Sequence, residues 1–181
     1  MIRLDDLVQL LRSRGESRYG EDVTLLQHSL QAATHAEDAS AGDSLVVAAL
    51  FHDLGHALEE EERLTGLPAL QLGHDVQGER LLAGLFGPEV SRPVGLHVLA
   101  KRYRCATEPE YRDALSAEST RSLEVQGGPL PPAEWAAFED DPYFERALLL
   151  RTFDDDAKEP GAAPRPLEHF LELAARLIDA R

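Results

Sequence analysis

With 181 residues, 43% of them hydrophobic, the chain has the volume for one compact domain with a full core and an enclosed site. Its formal net charge of −15 argues against a nucleic-acid partner, whose phosphates are held by Lys and Arg, but allows a small anion held by a few cations inside a pocket. The single cysteine, Cys105, excludes an internal disulfide and any all-thiolate zinc or iron–sulfur site, so a metal must take nitrogen and oxygen ligands, as iron, manganese, zinc and magnesium do.

The start, Met1 to Asp6, has no basic stretch followed by an apolar one, and no run approaches the roughly 18 apolar residues of a membrane span, so a cytoplasmic protein is expected. Apolar residues recur at three and four along nearly the whole sequence, which predicts an all-α fold, one helical bundle over residues 1–181 without repeat or linker. Leu4 to Arg14 reads as a short amphipathic helix stopped at Gly15, and Glu16 to Glu21 as a loop. Asp22 is the expected cap of a helix to about Ala39, with an apolar stripe of Val23, Leu26, Leu30 and Ala33 and a separate row of His28, Gln31 and His35. Asp43 is the expected cap of a helix from Ser44 to about Leu58, apolar all round from Leu45 to Phe51, as in a central helix.

After a solvated acidic run, Glu59 to Glu62, and a break at Gly66 to Pro68, Gly73-His74-Asp75 opens a helix through Gly84. Pro88 opens another that carries His97, Lys101 and Arg102. Glu108 to Gly128 is less regular, with a short helix and a Ser116 cap, and reads as a wall or lid. Pro142 precedes a helix from Tyr143 to about Lys158, and a Pro/Ala/Gly loop leads to a last amphipathic helix with Phe170, Leu173, Ala174 and Leu177.

The chemistry centres on His52-Asp53-Leu54-Gly55-His56. Helix positions four apart share a face, so His52 and His56 are expected to point the same way, with Asp53 about 100° round the axis. One metal-binding residue from each of several helices is how a site is built inside a bundle. His28, His52, Asp53, His74, His97 and Asp154 would give three ligands to each of two metals, with Asp53 able to bridge them and positions left open for substrate. Imidazole with carboxylate suits iron better than calcium or magnesium. A single helical histidine is more often a partly buried polar residue, which is the reading for His35 and His169. His56, Lys101 and Arg151 lie one turn from His52, His97 and Asp154; three such groups converging would hold a phosphate or phosphonate.

These residues resemble the HD-domain superfamily, whose pattern is H…HD…D on an all-α core. With His74 and His97 between the pair and the last aspartate, the chain is similar to the mixed-valent di-iron oxygenases, the group containing myo-inositol oxygenase and the glycine-forming 2-amino-1-hydroxyethylphosphonate dioxygenase. His97 to Tyr103, Leu115 to Pro129 and Arg151 to Lys158 look like the phosphonate-cleaving members. The resemblance implies two iron ions, Fe(II)/Fe(III), and O2 as co-substrate for cleaving the C–P bond of a small 1-hydroxyphosphonate. By carry-over, the six His and Asp residues named above hold the irons, His56, Lys101, Ser119 and Arg151 hold the phosphonate, Glu21 meets a substrate amine and Tyr19 gates an iron position.

In the aminophosphonate enzyme the tyrosine and glutamate stand three apart; here Tyr19-Gly20-Glu21 is one residue shorter, which leaves the substrate's tail open among an amine, a trimethylammonium group and hydrogen. Two competing readings are an HD phosphohydrolase with a metal-bound hydroxide and a silent helical binding module. The extra His74 and His97 weigh against the first, and six correctly ordered ligand residues against the second.

Overall fold

The computed structural model describes residues 2–16, 18–19, 22–58 and 73–180, with backbone alone for 14, 18 and 19. Helix α1 covers Leu4–Arg14, α2 Leu25–Asp38 and α3 Asp43–Phe51. Residues 54–58 are again helical after a turn at His52 and Asp53. Then come α4 (His74–Phe86), α5 (Pro88–Thr107), α6 (Pro109–Asp113), α7 (Ala117–Val125), α8 (Pro132–Glu139), α9 (Phe144–Asp156) and α10 (Leu167–Asp179). Among the described residues the strands are β1 (Arg18–Tyr19) and β2 (Val23–Thr24), an antiparallel pair with Tyr19 opposite Val23. The all-α expectation holds, and no described helix is long and apolar enough to cross a membrane.

A helix that is apolar on every side is stable only where neighbours cover all of it. Leu45 to Phe51 of α3 are all buried, with α2, α5, α9 and α10 packed around them. The main core joins Leu7 and Leu11 of α1, Ala32 and Ala36 of α2, Val90 and Val94 of α5, Phe153 of α9 and Phe170 of α10. A smaller cluster of Leu96, Ala100, Leu130, Phe138 and Ala147, edged by Tyr103, Trp135 and Phe144, closes the other side of α5.

The long helix α5 tolerates Pro93 in its interior. Proline has no N–H, which leaves the carbonyl four residues earlier, on Glu89, without its helical donor. Arg146 of α9 donates to that carbonyl at 3.2 Å, and the Tyr143 hydroxyl is 3.0 Å from the Glu89 carboxylate. The α5–α9 contact, which carries His97 and Asp154, is thereby fixed by polar as well as apolar groups.

Several boundaries differ from expectation for local reasons. Thr24, not Asp22, caps α2: its hydroxyl accepts from the Gln27 N–H while the Gln27 side chain accepts from the Thr24 N–H, a reciprocal pair that Asp22 in the hairpin turn is displaced from making. Gly42 precedes α3, and Asp43 is its first helical residue. The helix expected to run unbroken to Leu58 is interrupted at His52 and Asp53, and His56 N–H bonds to Asp53 O at 3.0 Å, the tighter i to i+3 pattern. Helix α8 was not expected; Pro132 starts it and Phe138 anchors it in the smaller cluster. Gly20, Glu21, Glu59 to Glu62 and Gly66 to Pro68 lie outside the described residues.

Phe170 is fully buried and holds α10 on α3, so Phe170→Ala is expected to cost about 3–5 kcal/mol in urea unfolding. Val125→Ala, at a position 86% exposed, should change stability by no more than about 0.5 kcal/mol.

Candidate metal centre

Three of the four central imidazoles are oriented by backbone carbonyls. His28 Nδ1 lies 2.8 Å from Ala157 O, His52 Nδ1 2.8 Å from Ala49 O and His97 Nδ1 2.7 Å from Val94 O. A carbonyl only accepts, so Nδ1 carries a proton in each ring, and whenever the ring is neutral its Nε2 lone pair faces the interior. There the nitrogens face one another: His28 Nε2 is 3.1 Å from His52 Nε2, and His74 Nε2 is 3.1 Å from His97 Nε2. Facing lone pairs at that distance repel unless a cation or a proton lies between them.

The carboxylates complete the arrangement. Asp53 Oδ2 lies 3.5 Å from His28 Nε2 and 3.4 Å from His52 Nε2, while Oδ1 lies 3.5 Å from His74 Nε2 and 3.6 Å from His97 Nε2. Asp154 Oδ1 is 3.3 Å from His28 Nε2 and 3.7 Å from His52 Nε2. Among the described residues two donor groups result, His28, His52, Asp53 and Asp154, and Asp53, His74 and His97, each with its ligand atoms within 4.8 Å of one another. The division is therefore four and three with Asp53 shared, rather than the three and three expected. The donor set fits two metal ions: nitrogen and oxygen donors only, all buried, with one carboxylate placed to bridge.

The electrostatics have the same sign. Burial disfavours charging His28, yet the Asp154 and Asp53 carboxylates outweigh it and raise its pKa to about 9. His97 is also raised, against its burial, by Asp53. His74 is held well below the usual histidine range by burial and by the neighbouring His56. Burial would raise both aspartates; instead the charge of His52 draws Asp53, and that of Arg151 draws Asp154, well below the carboxylate range. The cavity attracts positive charge and holds its acids ionised.

Backbone contact lets the two halves meet. At Gly55 a Cβ would stand 1.9 Å from the carbonyl oxygen of His74, so the turn after Asp53 can touch the first residue of α4 only where no side chain intervenes. The His56 ring stacks on the His74 ring, with centroids 3.7 Å apart and planes 20° from parallel.

A cationic end adjoins this centre. Buried Lys101 donates to Ser122 Oγ at 2.6 Å, and burial, then repulsion from Arg151, lowers its pKa to about 8. Lys158 Nζ is 3.2 Å from Ser119 Oγ. Arg151 bonds Asp154 through Nη1 and Asp155 through Nη2, and its Nε donates to the Tyr111 hydroxyl at 2.9 Å. The Tyr111 hydroxyl in turn bonds Asp155 at 2.7 Å, and Arg104 lies 4.0 Å over the Tyr111 ring.

Of the expected residues, the six metal candidates converge, and Lys101, Ser119 and Arg151 gather at one end. The His56 ring is the surface on which His74 stacks. Tyr19 contributes backbone pairing in β1, and Glu21 lies outside the described residues. His169 pairs with Glu37 at the surface at 2.8 Å. Sequence reasoning missed Ser122, Lys158, Asp155 and Tyr111. The spacing of Ser119 with Ser122 and of Arg151 with Asp155 carried a signal, because three and four residues make one helical face. Nothing local marks Tyr111, which arrives by the docking of α6.

The HD domain family model matches residues 25–126. A hydroxymethylphosphonate dioxygenase from Gimesia maris is 41% identical over 169 residues, covering 93% of this chain and 84% of the relative. The glycine-betaine-forming [1-hydroxy-2-(trimethylamino)ethyl]phosphonate dioxygenase of Leisingera caerulea is 36% identical over 167 residues, 92% of this chain and 85% of the relative. An uncharacterised protein of Acanthamoeba polyphaga mimivirus is 31% identical over 173 residues, 94% of this chain and 79% of that protein.

Asp53→Ala removes the carboxylate that faces both histidine pairs, and its metal content by elemental analysis should fall to less than half that of the unaltered protein. Retention of full metal would remove Asp53 from the site. Gly55→Ala should preserve the helical circular dichroism signal while lowering metal content, because the added methyl pushes His74 away.

Proposed function

The chain belongs to the HD-domain family, within its branch of phosphonate dioxygenases, and on that premise we propose that it uses O2 to cleave the C–P bond of a small 1-hydroxyphosphonate, releasing phosphate and a carboxylic acid. The observation that carries this reading is the pair of Nε2-lined positions sharing Asp53 beside the cationic end of Lys101 and Arg151. The reaction balances without a further reductant: C1–H and C–P break, and carbon and phosphorus each gain one oxygen.

Two iron ions, Fe(II)/Fe(III), would be held by His28, His52, Asp53 and Asp154 and by Asp53, His74 and His97, supplying Lewis acidity and a redox centre through which the substrate's own electrons reach O2. The protein's own groups do the rest. Carbonyls of Ala157, Ala49 and Val94 keep the protons on Nδ1, so the Nε2 atoms remain ligands. Arg151, Lys101 and Ser119 are assigned to the phosphonate oxygens, Arg151 as a fork pre-set by Tyr111 and Asp155, and Lys101 as a point charge steadied by Ser122. His56 faces the same pocket in this reading while its ring backs His74. Burial excludes water and strengthens each of these contacts. Glu21 is assigned to a cationic tail and Tyr19 to the approach to the irons.

Iron-loaded protein should release phosphate from hydroxymethylphosphonate or a longer 1-hydroxyphosphonate only when O2 is present. O2-independent release from a phosphomonoester alone would instead identify a hydrolase. Arg151→Lys should lower kcat/KM by about 2 kcal/mol, roughly 30-fold, through loss of the paired hydrogen bonds.

Lys101 is charged below about pH 8 and loses its proton above it, so KM should rise as the pH climbs through that value. Lys101→Arg, charged throughout, should carry this limb to higher pH; an unmoved limb would assign it to another group. Glu21→Gln should weaken a trimethylammonium or amine substrate far more than hydroxymethylphosphonate, and equal effects would remove Glu21 from recognition.

A further inference from the structure

Along α2, His28, Gln31 and Thr34 follow one another at steps of three and run up one side of the helix. All three meet the backbone of one distant segment, residues 157–165. His28 Nδ1 donates to Ala157 O at 2.8 Å, and Thr34 Oγ1 accepts from the Arg165 N–H at 3.1 Å. Between them, Gln31 Nε2 donates to Glu159 O at 3.0 Å and Gln31 Oε1 accepts from the Glu159 N–H at 3.0 Å. An amide that both gives to and takes from one residue fixes that residue's rotation as well as its position. Gln31 is only 3% exposed, so these bonds are not exchanged freely for water.

The clamped segment begins where it matters to the metal centre. Ala157 closes α9, the helix that carries Asp154, and the Ala157 N–H bonds back to Asp154 O at 3.3 Å. Its carbonyl holds the Nδ1 proton of His28. Two residues further on, Gln31 holds Glu159. The relative placement of His28 on α2 and Asp154 on α9 thus depends on a short backbone path, pinned at both ends by side chains of α2. His74 and His97 stand on α4 and α5, where their rings meet each other and His97 Nδ1 bonds to Val94 O.

We propose that Gln31 is a positioning residue for one metal position of the two, that of His28, His52, Asp53 and Asp154. Its clamp on Glu159 holds the Ala157 carbonyl in place and so keeps His28 Nε2 and Asp154 Oδ1 aimed at the same ion. The inference rests on the two-ion reading of the site and adds a dependence of one ion, not both, on a residue that binds neither.

The test is anaerobic Fe(II) titration of full-length apoprotein, with bound iron measured by elemental analysis and fold checked by circular dichroism. The variants are Gln31→Ala, the similarly sized Gln31→Met, and Thr34→Ala, which releases the same segment at its far end. The unaltered protein should take two ions. Gln31→Ala should hold one as tightly as before and the second with at least tenfold weaker affinity, as loss of a group supporting a ligand does. Thr34→Ala should retain both.

Should Gln31→Ala fail to fold, Gln31→Met, which fills the space without the hydrogen bonds, decides the matter by the same criterion. Two ions at unaltered affinity in the Gln31 variant would overturn the proposal, as would an equal loss in Thr34→Ala, which would make the effect one of general packing. Fewer than two ions in the unaltered protein would overturn the two-ion reading and the proposal with it.

Discussion

Four imidazoles and one carboxylate set the terms of this structure. Asp53 is 1% exposed and places one oxygen among the His28 and His52 nitrogens and the other among those of His74 and His97. Burying a carboxylate costs several kcal/mol unless positive charge answers it, and burying two pairs of facing lone pairs is unfavourable for the same reason. The two metal ions proposed for this site would resolve both costs together. The apolar helices provide the dry cavity in which that exchange is strong, and Leu45 to Phe51 bury the approach to His52 and Asp53 so fully that little water competes.

The helices must reach one point from different directions, and three backbone devices make this possible. The tight turn at His52 and Asp53 interrupts a helix that would otherwise carry these residues round in fixed steps of about 100°. Gly55 admits the carbonyl of His74 against the turn. Pro93 leaves a carbonyl for Arg146, which ties together α5 and α9, the helices of His97 and Asp154, about two turns from those residues. Each is a local irregularity in a regular helical pattern, and each lies next to a ligand candidate or ties together the helices that carry two of them. A regular helix alone would not present the adjacent residues His52 and Asp53 on one face.

This division explains what was legible in the sequence. Helix class, the apolar α3 and the six ligand candidates follow from periodicity and residue type, which are local properties. The cap of α2 was misplaced because Asp22 and Thr24 are both good caps, and a two-residue hairpin, too short to show alternation, chose between them. The unbroken helix through His56 was expected because Gly55 is the one weak helix former between His52 and Leu58; the turn at His52 and Asp53 stands just before the close contact of Gly55 with His74. Helix α8 hid in a Pro-rich stretch whose anchor, Phe138, has meaning only beside Tyr103 and Phe144. Tyr111 and the Gln31 contacts were illegible for the same reason, since their partners stand 40 and 128 residues away.

The join between the metal centre and the cationic end follows from Arg151. Its guanidinium bonds Asp154, whose other oxygen faces His28, and also Asp155. Asp155 is shared with Arg104 and Lys158, so Asp154 is the carboxylate that weighs most directly on the charge Arg151 can offer an anion. A cation drawing on Asp154 changes that balance, since the carboxylate's charge is then shared with the metal and the guanidinium is left with a surplus. If Arg151 holds the substrate's anion as proposed, binding at either site alters what Asp154 and Arg151 offer at the other, and linkage requires such coupling to run equally in both directions. On a chain of net charge −15, an anionic substrate gains nothing from long-range attraction. Its affinity has to come from contacts inside the cavity, and a pocket that becomes more cationic once the metal positions are filled reserves that affinity for the form of the protein able to react.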